Sequence, residues 1–211
     1  MDLLKNIEST TNTDWLVLDN SECQPYETTT DASDSERPYR LYRFLTDLED
    51  ILINVADDAQ RLKLICPLVR RLLNSSEWLQ YEFEEPNPET GWSVTTLYDE
   101  PDFPLTVQTV AWAPGTSSPI HNHAAWGVVA ILDGQEKNKF WQVADENSDG
   151  GIVQVGERLI LPGEIISFTP NAIHSIEVVG DEPTISFNLY GETNYEQRFE
   201  FDPTSGKATN F

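Results

Sequence analysis

The sequence predicts a mainly β protein, a jelly-roll barrel that follows an N-terminal α-helical extension. Short segments with strand character succeed one another from Trp92 to Phe201, and turn signals such as Asp133-Gly134 and Pro162-Gly163 separate them. Parallel strands need a crossover, usually a helix, and no helical pattern separates these strands. Antiparallel pairing is therefore favoured, and helical periodicity is confined to the chain before Glu85.

The first segment, residues 1–35, is acidic and polar and includes most of the run Glu27–Glu36. A segment with so few apolar residues predicts a mobile arm or an irregular cover over the body. Trp15, Leu16 and Val17 are the side chains that can attach part of this arm to the body.

The second segment, residues 36–80, predicts a helical extension packed on the barrel. Apolar residues recur at every third or fourth position, which gives one buried helix face. A second helix is predicted from about Asp57 to Leu79. Pro67 lies inside that pattern, so it should kink the helix or start a new one.

The third segment, residues 81–211, predicts the barrel, with about eight to ten short strands. Together with the extension it makes one structural unit. The predicted strands are Trp92–Tyr98, Leu105–Trp112, Trp126–Leu132, Lys137–Val143, Gly156–Leu161, Glu164–Phe168, His174–Val179, Thr184–Tyr190 and Tyr195–Phe201.

The charge balance restricts the partners. With 36 Asp and Glu against 13 Lys and Arg, the formal charge is −23. Nucleic acids and anionic membranes need Lys and Arg to meet phosphate, so neither is expected to bind. We expect a small-molecule partner and a monomer or homodimer. In the predicted barrel, only Arg158 and Arg198 supply a guanidinium group for an anionic ligand.

The cysteine content and the first residues predict a cytoplasmic protein. Cys23 and Cys66 are the two cysteines, and they do not form the pattern of a disulfide framework. The start Met-Asp-Leu-Leu-Lys lacks the basic and apolar regions of a signal peptide. The sequence also lacks an apolar window of the roughly 18 residues that a membrane span needs.

Three histidines are the strongest functional signal. His121 and His123 form a His-x-His pair, and His174 lies on a later predicted strand. Alternate residues of a strand face the same side, so the pair can point into the barrel, where His174 can join it. Three neutral imidazoles bind a metal ion and leave coordination positions open. A closed structural site would normally need a fourth protein ligand.

The region around the histidine pair resembles the first conserved segment of the cupin superfamily, in which a glycine precedes His-x-His by six positions. The matching residues are Gly115, His121, His123 and Gly134. In that segment a glutamate usually follows as the fourth ligand. Its place falls here on Gly127 or Val128.

The second cupin segment is matched more loosely. Gly163 and His174 keep the expected separation, whereas Pro170 stands one position late and Asn171 replaces a glycine. The resemblance covers about residues 91–201 and implies a cupin double-stranded β-helix, the jelly-roll barrel predicted above.

Three histidines without the glutamate look like the thiol dioxygenase branch, which contains cysteine dioxygenase and bacterial relatives that act on mercaptopropionate. That resemblance implies Fe(II) on His121, His123 and His174, with Ni, Zn and Mn as alternative metals. It also implies a small thiol and O2 as substrates, and a sulfinic acid as product.

The branch carries a Ser-x-His-x-Tyr relay after the third ligand, and the corresponding residues here are Ser186, Asn188 and Tyr190. They alternate along one strand, so they can form a hydrogen-bonded row. Asn188 stands in place of the histidine, and an amide cannot take up a proton as imidazole does. The resemblance implies that Tyr190 points its hydroxyl at the substrate or at dioxygen.

Substrate-binding residues follow from the same resemblance. The cysteine-specific enzymes bind the carboxylate with an arginine whose place here is Thr95, and they crosslink the relay tyrosine to a cysteine whose place is Val128. Arg198 follows Tyr190 by eight residues and is the candidate carboxylate ligand. Trp126 is a candidate for the pocket wall, with the hydrophobic core as the alternative.

Two alternatives stay open. One is a cupin that binds a metal or a small ligand without catalysis, and the other is a Zn or Ni enzyme such as an isomerase or hydrolase. A metal-bound imidazole usually donates its second N–H to a nearby acceptor. Gln108, Asn122 and Glu136 are the candidate acceptors.

Overall fold

The computed structural model describes residues 11–29, 38–101, 103–144 and 151–211. Residues 1–10 and 30–35 of the predicted arm, and the first two residues of the helical extension, lie outside the described residues. The elements in chain order are β1 (Thr11–Val17), β2 (Cys23–Thr29), α1 (Leu41–Asn54), α2 (Asp58–Ser75), β3 (Trp92–Asp99), β4 (Leu105–Trp112), β5 (Ile120–Asn122), β6 (Gly127–Asp133), β7 (Glu136–Val143), β8 (Ile152–Ile160), β9 (Ile165–Phe168), β10 (Ile173–Val178), β11 (Thr184–Gly191), β12 (Phe199–Phe201) and β13 (Ala208–Asn210). A 3₁₀ turn over Glu77–Gln80 follows α2.

These strands form two sheets. One has seven strands in the order β2-β1-β9-β6-β11-β4-β3, and the other has six in the order β13-β12-β5-β10-β7-β8. Neighbours pair antiparallel except β1 and β9, which run parallel. The predicted jelly-roll barrel with a helical extension is therefore confirmed.

The N-terminal segment differs from the prediction. Where a mobile arm or irregular cover was expected, β1 and β2 form a hairpin, and β1 extends the seven-stranded sheet by pairing with β9 from Trp15 to Val17. A buried ion pair joins Asp14 of this hairpin to Arg70 of α2. Thr28 also donates a hydrogen bond to Asp14, at 2.5 Å. The polar composition concealed a segment whose polar groups are satisfied by pairing.

The two helices lie against the outer face of the seven-stranded sheet. Phe44 and Leu48 of α1, together with Leu62, Ile65 and Leu72 of α2, are fully buried. They share one core cluster with the sheet residues Leu105, Val107, Val128, Ala130, Ile165, Phe187 and Leu189. Burying one such side chain contributes about 1.5–3 kcal/mol. The helices thus take one face of β4, β6 and β11 and leave the other face to the barrel interior.

The second helix ends earlier than expected, at Ser75, and it continues through Pro67 without interruption. Asp57 caps its start by accepting a hydrogen bond from the Gln60 amide at 2.8 Å. Pro67 removes one donor from the helix, and the buried residues on both sides of it keep the helix together. Neither described helix is long and apolar enough to cross a membrane.

Candidate metal centre

A cavity of about 480 Å³ lies inside the barrel, and both sheets contribute to its wall. All three histidines line it. The other lining residues are Trp92, Val94, Gln108, Val110, Trp112, Ser118, Pro119, Val129, Glu136, Ile176, Ser186, Asn188, Tyr190, Arg198, Glu200 and Phe211. The candidate site is thus an internal pocket with a concentration of polar groups at the imidazoles.

The histidines converge as predicted. His121 lies on β5 and pairs directly with His174 on β10, and His123 follows the end of β5. One ring nitrogen from each residue lies within 4.8 Å of the others. Nε2 of His123 and Nε2 of His174 are 2.9 Å apart.

The turn after His123 is fixed by the backbone. Ala124 has a φ of +50°, which is uncommon for a residue with a side chain. Its amide donates to the Pro170 carbonyl and its carbonyl accepts from the Asn194 amide, both at 3.0 Å. These bonds hold a strained conformation that ends the strand at the second imidazole.

A chain of hydrogen bonds orients His174. Its Nδ1 lies 2.9 Å from Oδ1 of Asn138, and Nδ2 of Asn138 donates to Glu136 at 2.8 Å. Because the amide nitrogen of Asn138 donates to Glu136, its oxygen is the atom that faces His174. His174 therefore carries its proton on Nδ1, which leaves the Nε2 lone pair for a cation.

The other proposed acceptors have different roles. His121 donates from Nδ1 to the carbonyl of Pro119 at 3.0 Å. Asn122 binds the backbone of Gln197 and Phe199 and so holds the segment that leads into β12. Asn138, which the sequence did not single out, is the direct acceptor for His174.

Burial keeps the three imidazoles neutral. It lowers the pKa of His121 to about 4, and the donor bond to Pro119 opposes that shift only in part. Burial also lowers the pKa of His123 and His174 well below the usual value, and the charge of a neighbouring imidazolium would lower both further. Near neutral pH the rings present lone pairs and no charge.

Two of the three imidazoles are spaced as ligands of one metal ion are. Two nitrogens that bind one ion at about 2.0–2.1 Å and at a right angle lie roughly 3 Å apart. The 2.9 Å separation of His123 and His174 matches this distance, and lone pairs so close repel unless a proton or cation lies between them. Across the described ranges, no acidic or thiol side chain joins the cluster. Within the described residues, the candidate ligands are thus three neutral imidazole nitrogens.

The predicted row on β11 is present. Tyr190 donates to Asn188 at 3.1 Å, and Asn188 donates to the Ser186 hydroxyl at 2.8 Å. The Tyr190 ring lies 4.7 Å from the His123 ring, centroid to centroid. Burial and then the nearby Glu136 carboxylate raise the pKa of Tyr190, so its phenol stays protonated.

Arg198 lies on the same cavity, directly before β12. Its guanidinium carbon is 4.3 Å from the ring centre of Phe211, and its buried Nε has no hydrogen-bond partner among the described residues. Arg158, in contrast, stacks on Trp15 at 3.5 Å outside this cavity, where it covers the N-terminal hairpin. Arg198 is therefore the arginine that can meet a ligand here.

Trp126 does not line the cavity. It is 5% exposed and belongs to the core cluster shared with the helices. A Cβ at Gly191 would lie 2.2 Å from the indole nitrogen of Trp126, so the Trp126 ring packs in direct contact with the β11 backbone. The expectation of a substrate-binding Trp126 is corrected to its alternative, a core residue.

Glu136 is a candidate functional residue whose burial is not evident from its position in the sequence. It is 3% exposed, and burial raises its pKa to about 7, opposed by the hydrogen bond from Asn138. In the sequence it follows the Asp133-Gly134 turn and resembles a solvated turn residue. Only its alternation with Asn138 and Phe140, which are buried on the same face of β7, indicates an inward side chain.

Comparison with solved structures finds cupin-fold proteins. Oxalate oxidase in complex with glycolate is 16% identical over 54% of this chain and 57% of that chain, with a TM-score of 0.40. The DMSP lyase DddQ from Ruegeria pomeroyi DSS-3 is 17% identical over 56% and 57%, with a TM-score of 0.42. A cupin_2 domain of an XRE-family transcriptional regulator from Enterobacter cloacae is 15% identical over 50% and 100%, with a TM-score of 0.38.

The aligned region thus spans about 57% of the length of the oxalate oxidase and DddQ chains. No family model matches the sequence. At these identities the likeness concerns the fold, and the chemistry has to be argued from the residues of the site.

Proposed function

We propose that this protein is an Fe(II)-dependent thiol dioxygenase that converts a small thiol to a sulfinic acid with O2. The observation that carries the proposal is the convergence of three neutral imidazoles, which no carboxylate of the described residues joins. The Tyr190 row and the Arg198 guanidinium line the same cavity. Three neutral ligands do not offset the positive charge of a metal ion. That charge and the open coordination positions of the ion both favour binding of an anionic thiolate.

Ferrous iron, when bound, supplies open positions for the thiolate and dioxygen and the electrons that activate dioxygen. The overall reaction, RSH + O2 → RSO2H, places both oxygen atoms on sulfur. Sulfur is oxidised by four electrons and dioxygen is reduced by four, so no further reductant is needed.

The residues of the chain position the substrate. Tyr190 donates its hydroxyl hydrogen to Asn188, which differs from the expectation that it points this hydrogen at the substrate. Its oxygen can accept a hydrogen bond from a ligand group that carries a hydrogen, such as the ammonium group of cysteine or cysteamine. Asn188 cannot take up the phenol hydrogen, so the phenol stays neutral. Arg198, which lines the cavity and whose Nε has no partner in the described part of the chain, holds a substrate carboxylate.

Oxygen consumption tests the proposal. Iron-loaded protein should consume O2 with 3-mercaptopropionate, cysteine or cysteamine, and the product should gain the mass of two oxygen atoms. His174→Ala serves as the control that lacks a ligand. Full iron occupancy without oxygen uptake for any of these thiols rejects the activity.

One observation favours a second candidate, a Zn- or Ni-dependent enzyme of another reaction type. Glu136 offers a buried carboxyl whose pKa is raised to about 7, and an acid–base step near neutral pH uses such a group. The metal content of protein purified without added metal distinguishes the candidates, because zinc or nickel in place of iron supports the second. A cupin that only binds a metal or ligand would show neither activity.

A further inference from the structure

The cavity is larger than a small thiol requires. Its volume of about 480 Å³ lies within the range of about 300–1,000 Å³ in which pockets enclose drug-sized ligands. A three-carbon thiol acid placed between the imidazoles and Arg198 occupies only part of that space. The remainder is bounded by a group of apolar side chains, which we call the apolar wall and define as Trp92, Val94, Val110 and Trp112.

The apolar wall is built by strand register. Trp92 pairs with Trp112 and Val94 with Val110, so the four side chains form two cross-strand pairs on one face of β3 and β4. The two indole rings lie 5.9 Å apart, centroid to centroid. The wall therefore presents a continuous aromatic and aliphatic surface to the cavity.

Two large apolar side chains of β3 are partly exposed to water instead of being buried in the core. Trp92 is 42% exposed and Val94 is 37% exposed on the cavity side. Ser93 and Thr95 face the other way and bond to Glu84. Ser93 donates to the Glu84 carbonyl at 2.6 Å, and Thr95 accepts from the Glu84 amide at 3.1 Å. Trp92 and Val94 thus face the cavity, although no described residue covers them fully.

The wall and the imidazoles belong to different sheets. β3 and β4 end the seven-stranded sheet, whereas His121 and His174 lie on the six-stranded sheet, and one cavity separates them. A ligand with its sulfur at the imidazoles and its carboxylate at Arg198 leaves the apolar wall for the rest of its atoms. Glu136 and Glu200 also line the cavity, so an amine-bearing ligand is the electrostatic alternative.

We infer that the substrate is a thiol that combines an anionic group, held by Arg198, with an aromatic or branched aliphatic body, held on the apolar wall. This inference rests on the proposed thiol chemistry for the sulfur. The recognition of the body and of the anion is independent of that chemistry and can be measured without a thiol or dioxygen.

The test uses iron-loaded protein under nitrogen and three ligands without sulfur, namely propionate, 3-phenylpropionate and 3-phenylpropylamine. Propionate and 3-phenylpropionate share any contact between carboxylate and metal. The ratio of their affinities therefore measures the contribution of the phenyl group to binding. Calorimetry should show that 3-phenylpropionate binds at least about tenfold more tightly than propionate, because its phenyl ring is transferred from water to the apolar wall. It should also bind more tightly than the amine.

Variants locate the effect. Trp112→Ala should bring the ratio close to one, Trp112→Phe should keep most of it, and Val94→Thr should reduce it at constant shape. Trp78→Ala is the matched control, since Trp78 is 49% exposed and does not line the cavity. Val94→Thr preserves the test if Trp112→Ala does not fold.

The inference would be overturned by equal affinities for the two carboxylates or by tighter binding of the amine. It would also be overturned if Trp112→Phe, Trp112→Ala and Val94→Thr all left the ratio of the two carboxylate affinities unchanged. Failure of thiol oxidation with an intact affinity ratio would instead reject the proposed activity and leave the apolar subsite standing.

Discussion

The ring of Tyr190 packs directly on Gly127, so that a Cβ on Gly127 would lie 2.8 Å from two ring carbons of Tyr190. The space that a side chain would fill at this position is filled by the tyrosine. The absence of a side chain at Gly127 and the placement of the phenol beside His123 are thus one structural feature.

Gly127→Ala should displace the Tyr190 ring. We expect a loss of about 1–3 kcal/mol in the free energy of unfolding, because the added methyl group overpacks a buried contact. Iron binding should persist, since none of the atoms nearest to the added Cβ belongs to an imidazole. Urea denaturation and metal analysis measure both effects.

Gly156→Ala is the matched control for that prediction. A Cβ there would meet only a Phe140 ring carbon, at 3.4 Å. Equal stability of the two variants, with the hydrogen bond from Tyr190 to Asn188 intact, would contradict the proposed packing.

Asn138→Leu should weaken metal binding by about 10–100-fold, because it removes the acceptor that fixes the tautomer and orientation of His174. Competition with a chromophoric chelator measures the affinity of the protein for Co²⁺ or Zn²⁺, independently of any activity. Asn54→Leu, which removes an amide on the exposed end of α1, is the control and should bind metal as the wild type does. Unchanged metal affinity in Asn138→Leu would show that the hydrogen bonds from Glu136 through Asn138 to His174 do not orient the His174 imidazole.

Glu136→Gln should stabilise the metal-free protein at pH 8 and have little effect at pH 4. Burial raises the pKa of Glu136 from 4.5 to about 7, so the folded state binds more protons than the unfolded state between these values. Its contribution to stability is therefore present below pH 4.5 and is lost as the pH rises through 7. Glutamine does not ionise and avoids that loss.

We expect the gain at pH 8 to be about 1–3 kcal/mol. Urea denaturation of both proteins at the two pH values gives the difference, in which the titration of the other carboxylates cancels. A stability difference that does not change with pH would mean that the Glu136 carboxyl is solvated.

Arg198→Ala should raise the KM of the proposed oxidation for 3-mercaptopropionate by about 10–100-fold, since it removes a charge-assisted contact to the carboxylate. Oxidation of cysteamine, which has no carboxylate, should change much less. Arg158→Ala is the control, because Arg158 stacks on Trp15 outside the cavity. The same loss for both thiols would assign Arg198 a purely structural role.

Local pattern was sufficient for most elements of the fold. Strand alternation placed His121 and His123 near one face, and helical periodicity located α1 and α2, although it put the end of α2 at Leu79 instead of Ser75, because both signals arise from neighbours within a few residues. The resemblance singled out Ser186, Asn188 and Tyr190, and strand alternation placed them in one row.

Features that depend on distant partners were missed. The hairpin β1–β2 looked like a polar arm because its pairing with β9 and the Asp14–Arg70 ion pair join residues far apart in the chain. Trp126 is in the core because the helices cover that face of the sheet, which its sequence neighbours do not reveal.

By itself, the sequence determined the barrel, the helical extension and the three imidazoles, because periodicity and residue type carry that information locally. Only the tertiary structure decided that Asn138 and Glu136 orient His174, that Gly127 makes room for Tyr190, and that Trp92 and Trp112 line the same cavity as the imidazoles. Each of these depends on which strands become neighbours, and the pairing of strands distant in sequence is set by the packing of the whole chain.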